Sequence, residues 1–290
     1  MKKSTIVAWT LALSLGLSFS SATGSYGPAP KDDTFWDRLE FYVPALKDVM
    51  TEIGEPSSEA LNTESIKLVV WNMYKGDLLP WERDYNLLSK NADILMLQEM
   101  LLGGKMSEVF NEHDGYQYKT AASFIYNIGQ QRTGVTTASH VESARTFSLR
   151  SNVLEPVINT PKMSIFAFYP LQGRDETLLT VNIHAINFVT TEGLKVQIEA
   201  IAHEISNHKG PIVFAGDFNT WSKGKLNYVM GVAKRLGLSE VSFKRDDRMR
   251  KFGFPLDHVF VRGVTVKSAV VRGELLGSDH KAMELVFSIH

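Results

Sequence analysis

Downstream of Ser65 the chain alternates short apolar runs with longer segments of three- and four-residue periodicity. The runs at Ile66 to Trp71, Asp93 to Gln98, Gly134 to Ser139, Ser164 to Phe168, Leu178 to Ala185, Pro211 to Ala215, Asp257 to Val261, Val264 to Val271 and Ala282 to Ile289 predict strands. Most are too apolar to have one face in water. Pro80 to Lys90, Lys105 to His113, Leu194 to His208 and Lys225 to Leu236 predict helices that cover those strands. Several strands follow one another with no helix between them, so the expectation is an α/β fold with mixed sheets. No period of twenty to fifty residues repeats, which disfavours a solenoid or propeller.

The N-terminal pattern is different. Lys2 and Lys3 precede an apolar run from Ile6 to Phe19, and Ser20-Ser21-Ala22 supplies small residues for cleavage, so residues 1–22 are expected to be an export signal and the protein periplasmic or secreted. An uncleaved anchor is the alternative; no later segment is long and apolar enough to span a bilayer. Residues 23–64 are expected to form a linker and a helix. In the helix Phe35, Trp36, Leu39, Tyr42, Val43, Leu46 and Met50 share a face, although Pro44 would kink it. It would pack on the main domain or lie on a membrane surface. Residues 65–290 are expected to be one catalytic domain, acting as a monomer.

Composition narrows the chemistry. There is no cysteine, so a thiolate nucleophile, a thiolate metal site and a disulfide scaffold are excluded. Lys and Arg number 31 against 32 Asp and Glu, a balance that argues against broad electrostatic capture of a polyanion. The local basic stretch of Lys244, Arg245, Arg248, Arg250 and Lys251 is either a phosphate-steering loop or a solvated charge run.

What stands out is how the apolar runs end. Ala215-Gly216-Asp217-Phe218-Asn219 follows a buried run; extended backbone would turn Asp217 and Asn219 toward one cavity and Phe218 away. That pair suits a water nucleophile, the carboxylate orienting water and the amide donating to a phosphoryl oxygen. Asp257 opens one strand and Ser278-Asp279-His280 precedes the last, making Asp257 the candidate partner that raises His280. Glu99 ends the apolar Ile94 to Gln98, where a lone carboxylate would be costly to desolvate unless a hard divalent cation supplied the missing charge. An oxygen-only donor set points to Mg²⁺ or Mn²⁺, with Asn72 a neutral neighbour. His184, within an apolar strand, is either a hydrogen-bonded core residue or a proton donor to a leaving oxygen. Taken singly each motif also fits a polar turn or a surface pair. His203 and His208 are five apart and diverge on a helix, so they do not form a zinc site.

Together and in this order, W-N, L-Q-E, N-I-H, G-D-F-N, P-L-D-x-V and S-D-H resemble the endonuclease/exonuclease/phosphatase superfamily with the deoxyribonuclease I-like fold. Within it the chain resembles the bacterial YafD-type branch, in V-W-N-x-Y-K, V-N-I-H-A-x-N-F, A-G-D-F-N-x-W and S-D-H. The resemblance implies a four-layer α/β sandwich, two mixed β-sheets face to face with helices outside and the site at one edge. It implies metal-binding positions at Asn72, Glu99 and Asp279, and catalytic positions at His184, Asp217, Asn219, Asp257 and His280. Tyr74 stands where some nuclease members carry an acid, which speaks against a second metal. No carboxylate near Gln131 to Gly134 matches the residue that orients the second imidazole in deoxyribonuclease-type members. The expectation is a divalent-metal-dependent phosphodiesterase working by in-line water attack, with nucleic acid ahead of lipid as substrate. The alternatives are a sphingomyelinase-type lipid phosphodiesterase, a phosphomonoesterase and a non-catalytic binding protein.

Overall fold

The computed structural model describes residues 40–156 and 158–290. The expected signal and the first part of the expected N-terminal helix lie outside the described residues.

Two mixed sheets pack face to face. In the larger, the central strands Ile66–Asn72 and Ile94–Leu102 run parallel, and Arg132–Ser139, Gln117–Tyr126, Met283–Ser288 and Thr265–Val271 extend the sheet antiparallel on either side. In the smaller, Thr177–His184 and Ile212–Asp217 form the parallel centre, flanked by Asp257–Arg262 on one side and Met163–Pro170 and Arg145–Arg150 on the other.

Alternation along these strands builds the layers. Leu68, Val70, Ile94 and Met96 of one sheet meet Val213, Ala215 and Val259 of the other in the inner core. Their neighbours Val69, Trp71, Leu95 and Leu97 face outward onto the helices Trp81–Ser89 and Lys105–Glu112. Val181, Ile183, Phe214 and Phe260 face outward onto Thr191–Ser206 and Lys223–Arg235. The result is the four-layer sandwich that the resemblance implied. Strands buried on both faces are largely apolar, apart from polar residues paired inside the core such as Gln98 and Asn182, which is why they read as near-continuous runs.

The helix expected over Phe35 to Met50 is not what the described part forms. Phe41–Tyr42 and Met50–Ile53 are strands on the edge of Gln117–Tyr126, joined by a 3-10 turn at Leu46–Asp48. Pro44 explains the outcome: it cannot continue a helix past its first turn, and pairing with an open sheet edge satisfies the backbone instead. Among the described residues no helix is long and apolar enough to cross a membrane.

Candidate active site

The polar residues that end the inner faces meet at one edge of the sandwich. In the smaller sheet Asp217 is in register with His184 on one side and Asp257 on the other, so the three stand in one row. They continue the inward series of Val213 and Ala215. In the larger sheet Asn72 continues Leu68 and Val70. One step below, Gln98 Nε2 donates to Asn182 Oδ1 at 2.7 Å, and Asn182 Nδ2 donates to the carbonyls of Leu97 and Thr136. This buried amide pair ties the two sheets together directly beneath the site, with its donors satisfied.

Glu99 reaches the site by a different route. Alternation would send it outward with Leu95 and Leu97, but the pairing with Arg132–Ser139 shifts between Gln98 and Met100 and Glu99 adopts φ 51°. A bulge with a left-handed residue turns the carboxylate back toward the pocket. Tyr74, Lys75, Phe188 and Asn219, which also line the pocket, likewise have positive φ. Strain of this kind costs about 1–3 kcal/mol per residue and concentrates where geometry serves a site. Gly216, at φ 137°, is the complementary case, because a Cβ there would lie 2.1 Å from the Ile183 carbonyl oxygen.

The expected dyad is formed. His280 Nδ1 donates to Asp257 Oδ2 at 2.8 Å and Oδ1 at 3.0 Å, and His280 Nε2 points toward Asp217 Oδ2 at 3.9 Å. Ser278 locks the loop by donating to the Asn72 carbonyl at 2.6 Å and accepting from the His280 N–H. Burial works against a charged His280, but Asp257 and Asp217 outweigh it and hold the imidazole well above its ordinary range. Burial, with Asp257 adding to it, pushes the Asp217 carboxyl up to about 7 against the pull of His280. Asp217 Oδ1 accepts from the Asn219 N–H at 2.9 Å, and one Asn219 amide hydrogen is used on the Ala185 carbonyl. Phe218 packs away from the pocket against Phe214 and Phe260, as the motif predicted.

His184 is held differently. Its Nε2 lies 3.7 Å from both Glu99 Oε1 and Asp217 Oδ2, outside hydrogen-bond range. Burial, reinforced by Lys162, pushes it well below the usual imidazole range, so it is neutral at pH 7. Burial also opposes ionisation of Glu99, yet His184, Lys75 and Lys162 outweigh it and hold that carboxyl down at about 2. Because His184 is itself neutral, the lasting contribution comes from the two lysines.

Neither lysine was among the site residues expected from the sequence. Lys75 donates from Nζ to the Tyr126 hydroxyl at 3.2 Å, and its only sequence signal was its place in V-W-N-x-Y-K. Lys162 pairs with buried Glu155 at 3.4 Å, and Glu155 also accepts the Asn187 N–H at 3.2 Å. That anchor depends on the loop between Arg145–Arg150 and Met163–Pro170 folding back, which leaves no local signal.

The donor set fits a hard divalent cation. Among the described residues the tightest group of ligand types is Asp217, Asp257 and His280, but both Asp257 oxygens already accept from His280. Glu99 and exposed Asp279 line the same pocket, and the acidic donors there are carboxylates, which Mg²⁺ or Mn²⁺ favours. Asn72 is arranged less directly for this role. Its Nδ2 donates to Glu99 at 3.4 Å and to Asp217 at 3.2 Å while its Oδ1 accepts from the Tyr74 N–H, so it bridges two carboxylates.

The basic stretch proves to be largely neutralised. Arg248 is clasped by Asp246 and Glu240 and donates to the Asp257 carbonyl at 2.9 Å; Arg250 also pairs with Asp246, and Arg245 pairs with Asp247. Lys244 and Lys251 alone in this stretch have no acidic partner among the described residues, and Lys251 lines the pocket. Arg248 thus braces the strand that carries Asp257.

Two sheets packed face to face, an acid and imidazole dyad and an acidic pocket at the sheet edge define a phosphoesterase-type sandwich. Residues 69–280 match the Endonuclease/Exonuclease/phosphatase family, and the chain belongs to it. It is similar to the UPF0294 protein of Vibrio campbellii, 32% identical over 264 residues that cover 86% of this chain and 91% of that one. Among solved structures it resembles D. rerio TDP2 complexed with single strand DNA product, with TM-score 0.57, 15% identity and coverage of 77% of this chain and 99% of that chain. It also resembles a mannosyl-6-phosphatase of Bacteroides thetaiotaomicron, with TM-score 0.55, 14% identity and coverage of 77% and 100%.

Proposed function

We propose that this protein hydrolyses a phosphodiester by in-line attack of water on phosphorus. The observation that carries the proposal is the convergence of Glu99, Asp279, Asp217, Asn219 and the Asp257–His280 pair on one pocket. Asp217, with a carboxyl near neutrality, accepts the proton of a water that Asn219 helps to orient. His280, kept cationic by Asp257, donates from Nε2 to a phosphoryl oxygen as charge builds there. Neutral His184 supplies a hydrogen bond on the opposite flank. Glu99 and Asp279 would hold Mg²⁺ or Mn²⁺, which when bound neutralises charge on the phosphoryl oxygens.

The substrate divides between nucleic acid and lipid. The nucleic-acid reading leaned on the stretch from Lys244 to Lys251, and most of its charge is now accounted for by Asp246, Asp247 and Glu240. TDP2 carries a DNA product on this fold, which keeps nucleic acid among the substrates to be tried.

The test is hydrolysis of bis-(p-nitrophenyl) phosphate with Mg²⁺, Mn²⁺ or chelator. Turnover with either ion that chelation abolishes is the expected result, and Glu99→Gln should lower it by orders of magnitude while weakening its dependence on metal. Equal turnover by Glu99→Gln would remove that residue from the mechanism. Export, proposed from the N-terminal pattern, is checked by fractionating cells that express the full chain.

A further inference from the structure

Loops that carry pocket-lining residues also carry apolar side chains that are largely exposed among the described residues, with only the Trp221 ring, 6.3 Å away, beside Phe252. Of the four most exposed large apolar residues among the described ones, Leu79 at 98%, Phe252 at 76% and Leu276 at 59% rise from loops that also line the pocket, the fourth being Leu46 at 67%. Leu79 follows Tyr74 and Lys75, Phe252 follows Lys251, and Leu276 precedes Asp279. Phe188, 45% exposed, lines the pocket itself.

Phe252 is the most telling of them. Arg250–Lys251 and Phe254–Pro255 pair as a hairpin, and the two residues between them, Phe252 and Gly253, have φ 53° and 86°. Turns of this handedness prefer Asn-Gly, so a phenylalanine in the first position bears both backbone strain and exposure of its ring. Phe188 stands at φ 55° with the same double cost.

A further observation indicates what meets these side chains. Lys251, without an acidic partner among the described residues, stands beside Phe252, so an apolar tip is flanked by a free cation.

We propose that the mouth of the site docks on the surface of a lipid bilayer through Leu79, Phe252 and Leu276, and draws phosphodiester-linked lipid headgroups into the pocket. Single apolar tips on separate loops, with polar residues between them, suit a fluid interface that yields around each one. A nucleic-acid strand could stack on Phe252 and Phe188 and pair with Lys251, but it would leave the exposed Leu79 and Leu276 without a partner, whereas a bilayer takes up all of them. The substrate assignment rests on the phosphodiesterase reading above. Water oxygen bonds to phosphorus, one P–O ester bond breaks, and the proton lost by water is balanced by the one gained by the departing alcohol.

Docking and turnover are measured separately on the full chain and on the triple variant Leu79→Ser, Phe252→Ser, Leu276→Ser, both with the same N-terminus. Vesicles of equimolar phosphatidylethanolamine and phosphatidylglycerol are sedimented with each protein. The triple variant should pellet about tenfold less and hydrolyse vesicle phospholipid correspondingly less, as loss of buried apolar area predicts. Its turnover of soluble bis-(p-nitrophenyl) phosphate should stay within about twofold, since none of the three residues touches the reacting groups. Phe252→Ser alone serves if the triple variant melts early. Equal sedimentation and phospholipid turnover by variant and wild type would overturn the proposal, as would turnover of single-stranded DNA by a protein that ignores vesicles. If wild type fails on the soluble diester with every metal, the phosphodiesterase reading falls, and sedimentation still judges docking.

Discussion

His184 and His280 face the same pocket from opposite sides, and their surroundings give them opposite charge. His280 has a carboxylate against its Nδ1 at 2.8 Å and a second acid ahead of its Nε2. His184 has no acid within hydrogen-bond range, and Lys162 lies close enough to reinforce the effect of burial. Both rings are buried, so desolvation acts the same way on each; what differs is whether a charged partner is in contact. Burial leaves the unpartnered imidazole neutral, whereas the Asp257 contact outweighs it in the other.

The comparison breaks most directly at His280. His280→Ala should lower diester turnover by about 10²–10⁴-fold, the range for losing a positioned proton-transfer group. The fold should survive, because the Trp71 indole and Ser278 hold this loop through the His280 backbone. Retained activity in an intact protein would make the dyad structural. Asp257→Asn should follow with a smaller loss, and in an NMR titration the His280 ring should give up its proton at lower pH than in wild type. An unmoved titration would mean that Asp217, not Asp257, sets the charge of this ring.

His184 gives the smaller effects. Lys162→Gln keeps a donor for Glu155 and removes the cation, so His184 should titrate at higher pH than in wild type while turnover changes only modestly. If His184 does not move, burial alone accounts for its state.

Much of this arrangement was legible in the residues, and the rest was hidden for physical reasons. The strands ending in Asn72, His184 and Asp217 were readable because burial on both faces favours a near-continuous apolar run, against which a terminal polar residue stands out. Gln117–Tyr126 and Arg145–Arg150 were missed; Ala, Ser, Thr and Lys dilute the first, and the second is half-exposed with Arg at both ends. The N-terminal segment had helical spacing that an open sheet edge and Pro44 overrode. The same limit hid the difference between the imidazoles: Asp257 could be guessed as a partner for His280, but Lys162 reaches the site only through its buried pairing with Glu155. The basic stretch misled in the opposite direction, because Asp246 and Asp247 within it and Glu240 outside it fold back onto its arginines.

The subtlest consequence of the comparison lies in stability. A neutral His184 binds fewer protons folded than unfolded once the pH drops below its ordinary range near 6.5, so it subtracts stability on acidification. His280 has the opposite sign: its folded form keeps a proton that the unfolded chain gives up above about 6.5, so its contribution is complete in acid and is lost as pH rises through the raised value. Each group alters the slope of unfolding free energy by at most about 1.4 kcal/mol per pH unit. Chemical denaturation of wild type, His184→Asn and His280→Asn between pH 5 and 9 separates them. His184→Asn should flatten the decline below 6.5 and leave the alkaline side as it was, while His280→Asn should flatten the alkaline side alone. Two variants that change the same limb of the curve would mean that the rings share one environment and that their contrast in charge is wrong.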